Sequence, residues 1–149
     1  MTDRGGPLPD VPTERPFTPL PGPMTGLSHV QLRVTDVASS AEWYSTALGL
    51  EPFRADPAIG YVALRHPGSG VVVVLTADSS DGWGPEGGAL DHLAFAVPDR
   101  AALESWADHL TAAGIDHPGI VPENGNPSLQ LRDPDGTAVE LVALRPPGS

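Results

Sequence analysis

One internal repeat limits what this chain can fold into more than any other feature. "LSHVQLRVTDVASSAEW" (residues 27–43) aligns with "LDHLAFAVPDRAALESW" (residues 90–106) at an offset of 63. Across those seventeen positions six are identical: Leu27/Leu90, His29/His92, Val34/Val97, Asp36/Asp99, Ala38/Ala101 and Trp43/Trp106. Each copy opens with an alternating apolar run, as a half-buried strand requires, and then changes to helical spacing behind an aspartate. Asp36 and Asp99 are N-cap candidates, while Gly49 and Gly114 stand where the helices should stop.

The opening strands are expected over 27–34 and 90–97, and the helices over about 37–48 and 100–113. Three strand-like runs follow each helix, near 51–56, 59–66 and 71–77, then near 117–122, 127–132 and 137–144. The fold class is therefore α+β, built from two βαβββ modules with mixed sheets. Two units are too few for a solenoid. Residues 1–24 hold seven prolines and read as a flexible arm. A single domain over 25–146 is expected after it. Its first module covers about 26–78, a glycine-rich linker 79–88, and the second module about 89–145.

Composition removes several kinds of chemistry. The 149 residues carry a net charge of −11, and all 8 basic residues are arginine. Without lysine there is no Schiff base and no phosphate-loop lysine. Without cysteine there is no thiolate ligand, disulfide or cysteine nucleophile. The acidic balance argues against a nucleic-acid partner, and no apolar run reaches the length of a membrane span. A cytoplasmic location is the default expectation. "GWGPEG" (82–87) fits a glycine-rich nucleotide motif only literally, since it leads into a strand.

Strand alternation then isolates the chemistry. His29, Gln31 and Arg33 share one face of the first strand, and His92, Ala94 and Ala96 share the matching face in the second copy. Small side chains on that face leave room beside the histidines. In "RDPDGTAVELVAL" the turn "DPDG" precedes an apolar strand interrupted only by Glu140. A carboxylate buried there must be paired, neutralised or bound to a metal. Two imidazoles and one carboxylate form a facial triad that leaves metal positions open. Each residue also has a structural reading: a hydrogen-bonded strand histidine, or a glutamate paired with Arg33, Arg65 or Arg132. Trp43 and Trp106 read as helix core residues, His109 as solvated, and Trp83 as a linker residue at a pocket edge.

"LSHVQLRVTDVASSAEWYSTALGLEP", "LDHLAFAVPD" and "RDPDGTAVELV" resemble the vicinal oxygen chelate superfamily. That group includes glyoxalase I, extradiol dioxygenases, methylmalonyl-CoA epimerase, and the fosfomycin and bleomycin resistance proteins. The resemblance covers about 26–145 and implies paired modules cupped around a divalent metal. It implies His29, His92 and Glu140 as the ligands, with Fe, Mn, Ni or Zn bound, and a small-molecule substrate or ligand. Gln31, Arg33 and Tyr61 are pocket candidates, and Glu140 could serve as base as well as ligand.

Departures from the family narrow the chemistry. The fourth ligand of glyoxalase I, a glutamate, is matched here by Val74, and Gln31 stands where fosfomycin enzymes place a threonine. His66, His117 and Tyr61 are the candidates for the second-shell histidine and tyrosine of dioxygenases. Dioxygenase, isomerase or lyase chemistry remains open, as does sequestration of a drug or natural product without turnover. A homodimer exchanging modules between chains is the expected assembly.

Overall fold

The computed structural model describes residues 5–10, 26–77, 90–123 and 125–144. Of the expected arm, residues 5–10 are exposed and form no helix or strand. The rest of the arm and the linker with Trp83 lie outside the described residues.

The two modules have the same architecture. The first contains β1 (Val30–Val34), α1 (Val37–Leu48), β2 (Glu51–Asp56), β3 (Tyr61–Arg65) and β4 (Val72–Ala77). The second contains β5 (His92–Val97), α2 (Arg100–Ala112), β6 (Val121–Glu123), β7 (Asn126–Arg132) and β8 (Ala138–Ala143). The sheets run β1-β4-β3-β2 and β5-β8-β7-β6. In each, the first strand is parallel to the last and the others are antiparallel.

Local chemistry explains the boundaries. Asp36 Oδ1 accepts from Ser39 N at 2.9 Å, and Asp99 Oδ1 accepts from Ala102 N at 2.8 Å, so both expected caps form. Gly49 ends α1 at φ 72, in the left-handed region open to glycine. β1 and β5 start later than expected, at Val30 and His92, so His29 falls just outside its strand. β6 also begins later than the expected 117–122. Pro118 has no N–H to donate, and Gly119 turns the backbone to φ 87, which delays pairing until Val121.

Leucines of both modules merge into one core. Leu48, Leu64 and Leu75 are buried together with Leu103, Leu129 and Leu141, and Trp43 and Trp106 pack partly buried against the cluster. Burial of this kind is worth roughly 25 cal/mol per Å² of apolar surface. A polar joint fixes the modules beside the core. Tyr44 on α1 donates its hydroxyl to Asp133 Oδ2 at 2.8 Å, and Thr35 Oγ1 donates to Asp135 Oδ1 at 2.7 Å. His109 Nε2 meets the Thr46 carbonyl at 2.9 Å, so this exposed side chain ties α2 to α1.

Candidate metal centre

Register places the glutamate of the last strand on a defined face. Glu140 on β8 lies between Ala94 of β5 and Gln130 of β7. His92, Ala94 and Ala96 share its face, whereas Val139 and Leu141 point to the core. Glu140 is only 7% exposed, and its Oε2 has no hydrogen-bond partner among the described residues. Two of the three arginines considered for it are engaged elsewhere: Arg132 donates to the Gly136 carbonyl, and Arg65 stacks over Phe53.

His92 supplies the nitrogen. Its Nδ1 is 2.7 Å from Asp91 Oδ1, which leaves Nε2 facing Glu140 Oε2 at 3.7 Å. A carboxylate behind the imidazole fixes the ring and makes the opposite nitrogen a better ligand. Glu123, at the end of β6, brings in a second acid. One ligand atom each from His92, Glu123 and Glu140 lies within 4.8 Å of the others. Glu123 Oε2 is also buried without a partner. Asp91, and then Glu140, hold the His92 imidazolium above the ordinary histidine range. Burial, and then the adjoining Glu123, push the Glu140 carboxyl up, while His92 pulls it down. Two buried carboxylate oxygens facing an imidazole and lacking other donors fit a divalent cation.

His29 stands apart. It is exposed, its Nδ1 lies 2.9 Å from Ser28 Oγ, and the cluster of His92 and Glu140 within the chain does not include it. His29 instead lines a largely apolar cavity of about 580 Å³, together with Leu48, Val72, Leu93, Phe95 and Trp106. Gln31, Arg33 and Tyr61 also belong to the first module's sheet. Gln31 is opposite Val74, and Arg33 and Tyr61 flank Thr76 on either side. His66 turns to Ser69 and His117 to Thr111, so neither joins the carboxylates.

Sequence reasoning missed Asp91 and Glu123. Asp91 was legible as an acid next to the repeat histidine. Glu123 was hidden because the strand was expected to stop at 122.

A family model for the Glyoxalase/Bleomycin resistance protein/Dioxygenase superfamily matches residues 26–141. The chain belongs to this superfamily. Among its relatives, a probable lactoylglutathione lyase of Vibrio cholerae is 28% identical over 127 residues, 76% of this chain and 87% of that protein. A glyoxylase/bleomycin resistance protein/dioxygenase domain from a Frankia species superposes with a TM-score of 0.70 at 26% identity, over 83% of this chain and all of that one (100%). A variant of the fosfomycin resistance protein FosX of Listeria monocytogenes, complexed with Mn(II) and 1S,2S-dihydroxypropylphosphonic acid, shares the fold. Its TM-score is 0.62 at 18% identity, covering 82% of this chain and 92% of that one. Both sheets and both helices described above thus follow the superfamily's plan.

Proposed function

We propose that the protein is a divalent-metal-dependent enzyme whose substrate is a small molecule with two oxygens that chelate the metal. Its ligands are His29, His92 and Glu140. The observation that carries this reading is the orphaned Oε2 of Glu140, buried on an apolar strand and facing an imidazole already oriented by Asp91. The metal, when bound, supplies Lewis acidity or, as Fe(II), oxygen activation. The chain's own residues hold it and shape the space around it. Asp91 keeps the His92 ring in place, and Ala94 and Ala96 leave room beside Glu140 for the substrate. The Mn(II) complex of the FosX relative supports the metal assignment.

His29 reaches such a site in a homodimer that exchanges modules. Each site then takes His29 from one chain and His92 with Glu140 from the other. Support comes from the end strands. β1 and β5 each pair on one side only, with β4 and β8 respectively, so their outer edges are free for pairing among the described residues.

Protein purified without chelator should contain, or take up, one divalent ion per chain when Fe(II), Mn(II), Ni(II) or Zn(II) is offered. Glu140→Gln should lower that affinity about tenfold or more. Its metal-free form should lose little stability or gain some, because a buried carboxylate is costly without its ion. Elemental analysis and titration finding no uptake would sink the proposal.

A sequestering role is the second reading, and the apolar cavity favours it, since its lining is largely apolar and does not include Glu140. Such a protein binds a bulky ligand stoichiometrically, forms no product, and keeps its affinity after His92→Ala. An isomerase or lyase turns over anaerobically with Mn(II), Ni(II) or Zn(II), whereas a dioxygenase consumes oxygen with Fe(II).

A further inference from the structure

We infer that Glu123 is a metal ligand, and that it gives the second module a three-ligand cation site that does not need His29. The inference rests on the metal-dependent reading above and concerns how that metal is held. Three observations carry it. One ligand atom each from His92, Glu123 and Glu140 falls within 4.8 Å of the others, which one ion can bridge. Glu140, only 7% exposed, points an unpartnered Oε2 at His92, and Glu123 also has a buried Oε2 that lacks a partner among the described residues. The strands leave both acids on one face, because Glu123 pairs with Asn126 and Glu140 with Gln130, and Asn126 and Gln130 share a face of β7.

Two adjoining carboxyl groups whose positive partner among the described residues is a half-exposed histidine are unfavourable when both are charged. A divalent cation between them removes the repulsion and satisfies both oxygens. The donor set, one imidazole nitrogen and two carboxylate oxygens, suits a borderline to hard ion such as Mn(II), Fe(II) or Zn(II) over a thiophilic one. All three donors come from β5, β6 and β8 of one module, so the ion can load before a second chain arrives. When His29 of a second chain joins, the shell has four protein ligands. An octahedral ion then keeps two positions, the number that a bidentate substrate fills. Glu123 in this way supplies the second carboxylate that Val74 cannot.

Titration of the full-length chain with Mn(II) and with Zn(II), against a chromophoric chelator, tests the inference. Four proteins are compared: wild type, His29→Ala, Glu123→Gln, and the double variant. His29→Ala should still take up one ion per chain, within about tenfold of the wild-type affinity, and Glu123→Gln should bind about ten- to a hundredfold more weakly. The double variant should bind more weakly than either. Thermal unfolding gives an independent reading of folding and sign. Without metal, Glu123→Gln should melt at or above the wild-type temperature, because it removes one of two crowded anions. With saturating Mn(II) the order should reverse. Wild-type affinity in Glu123→Gln, or complete loss of uptake in His29→Ala, overturns the inference while leaving the His29, His92 and Glu140 site intact. No uptake by the wild type overturns both.

Discussion

The first and second modules share strand order and pairing, yet their equivalent faces carry opposite chemistry. Val74 in β4 and Glu140 in β8 occupy the same place, each beside the fifth residue of its repeat motif: Gln31 in one copy, Ala94 in the other. Ala63 in β3 matches Gln130 in β7 by the same register. The first sheet therefore has a buried apolar centre and a polar outer strand, with Gln31 and Arg33 exposed. The second has a polar centre and an outer strand of small residues, with Ala94 and Ala96 exposed. Duplication kept the scaffold, and divergence divided the labour. The exchanged pair of modules proposed above would set the long polar side chains of β1 against the small ones of β5.

Complementation breaks or keeps that division, with turnover as its sharpest readout. Chains carrying His29→Ala and chains carrying Glu140→Ala are unfolded together and refolded as a mixture. In an exchanged dimer, His29 of the second variant meets His92 and Glu140 of the first, and one full site returns. Its other site lacks both ligands. Turnover, or the affinity of the complete ligand set, should rise above that of either variant refolded alone. No gain in the mixture would place each site within one chain and defeat the exchange.

Transplanting the acid tests the comparison from the other side. Val74 is 4% exposed and sits between Gln31 and Ala63, two neutral residues. Val74→Glu should therefore cost about 3–5 kcal/mol, the penalty for an uncompensated buried charge. Urea unfolding of the metal-free protein measures it. A loss below about 1 kcal/mol would mean that the first module's face tolerates charge, and the contrast with Glu140 would lose its force.

Much of the scaffold was legible in the sequence because duplication writes each signal twice. The paired aspartates at 36 and 99 announced both helices, and both cap as expected. Strand alternation set Glu140 on the opposite face from Val139 and Leu141, and the register of β5 with β8 shows that this is also the face of His92. Contacts between distant elements carried no such signal. His29 and His92 look equivalent in sequence, but one ends exposed beside an apolar cavity and the other faces two acids. Periodicity gives the face of a strand, not the chain that completes it. Glu123 was missed for a related reason, since a three-residue strand broken by Pro122 leaves almost no periodicity to read. The "DPDG" turn was recognised as a turn, while its docking on α1 through Asp133 and Asp135 depends on tertiary structure.

That docking is the last asymmetry, and it gives the smallest effect. Tyr44 has its repeat counterpart in Ala107, so the second helix has no hydroxyl at the equivalent position. Asp133 is buried, with Oδ1 accepting from Asp135 N and Thr137 N, both at 2.9 Å, and Oδ2 accepting from Tyr44. Tyr44→Phe removes one donor from a buried charged acceptor, which should cost about 1.5–3 kcal/mol at neutral pH. Burial first, and then the charge of Asp133, push the Tyr44 hydroxyl well above the usual tyrosine range. The folded chain therefore holds this proton more tightly than the unfolded chain does. Its contribution is complete below the unfolded value of about 10 and declines as pH rises above it. The stability gap between wild type and Tyr44→Phe should thus be constant from neutral pH to about 9, then narrow toward alkaline pH. Urea midpoints measured across that range check the sign. A gap that widens above pH 10 would mean that the tyrosine ionises readily in the folded state, and the joint between the modules would not be the buried hydrogen bond described here.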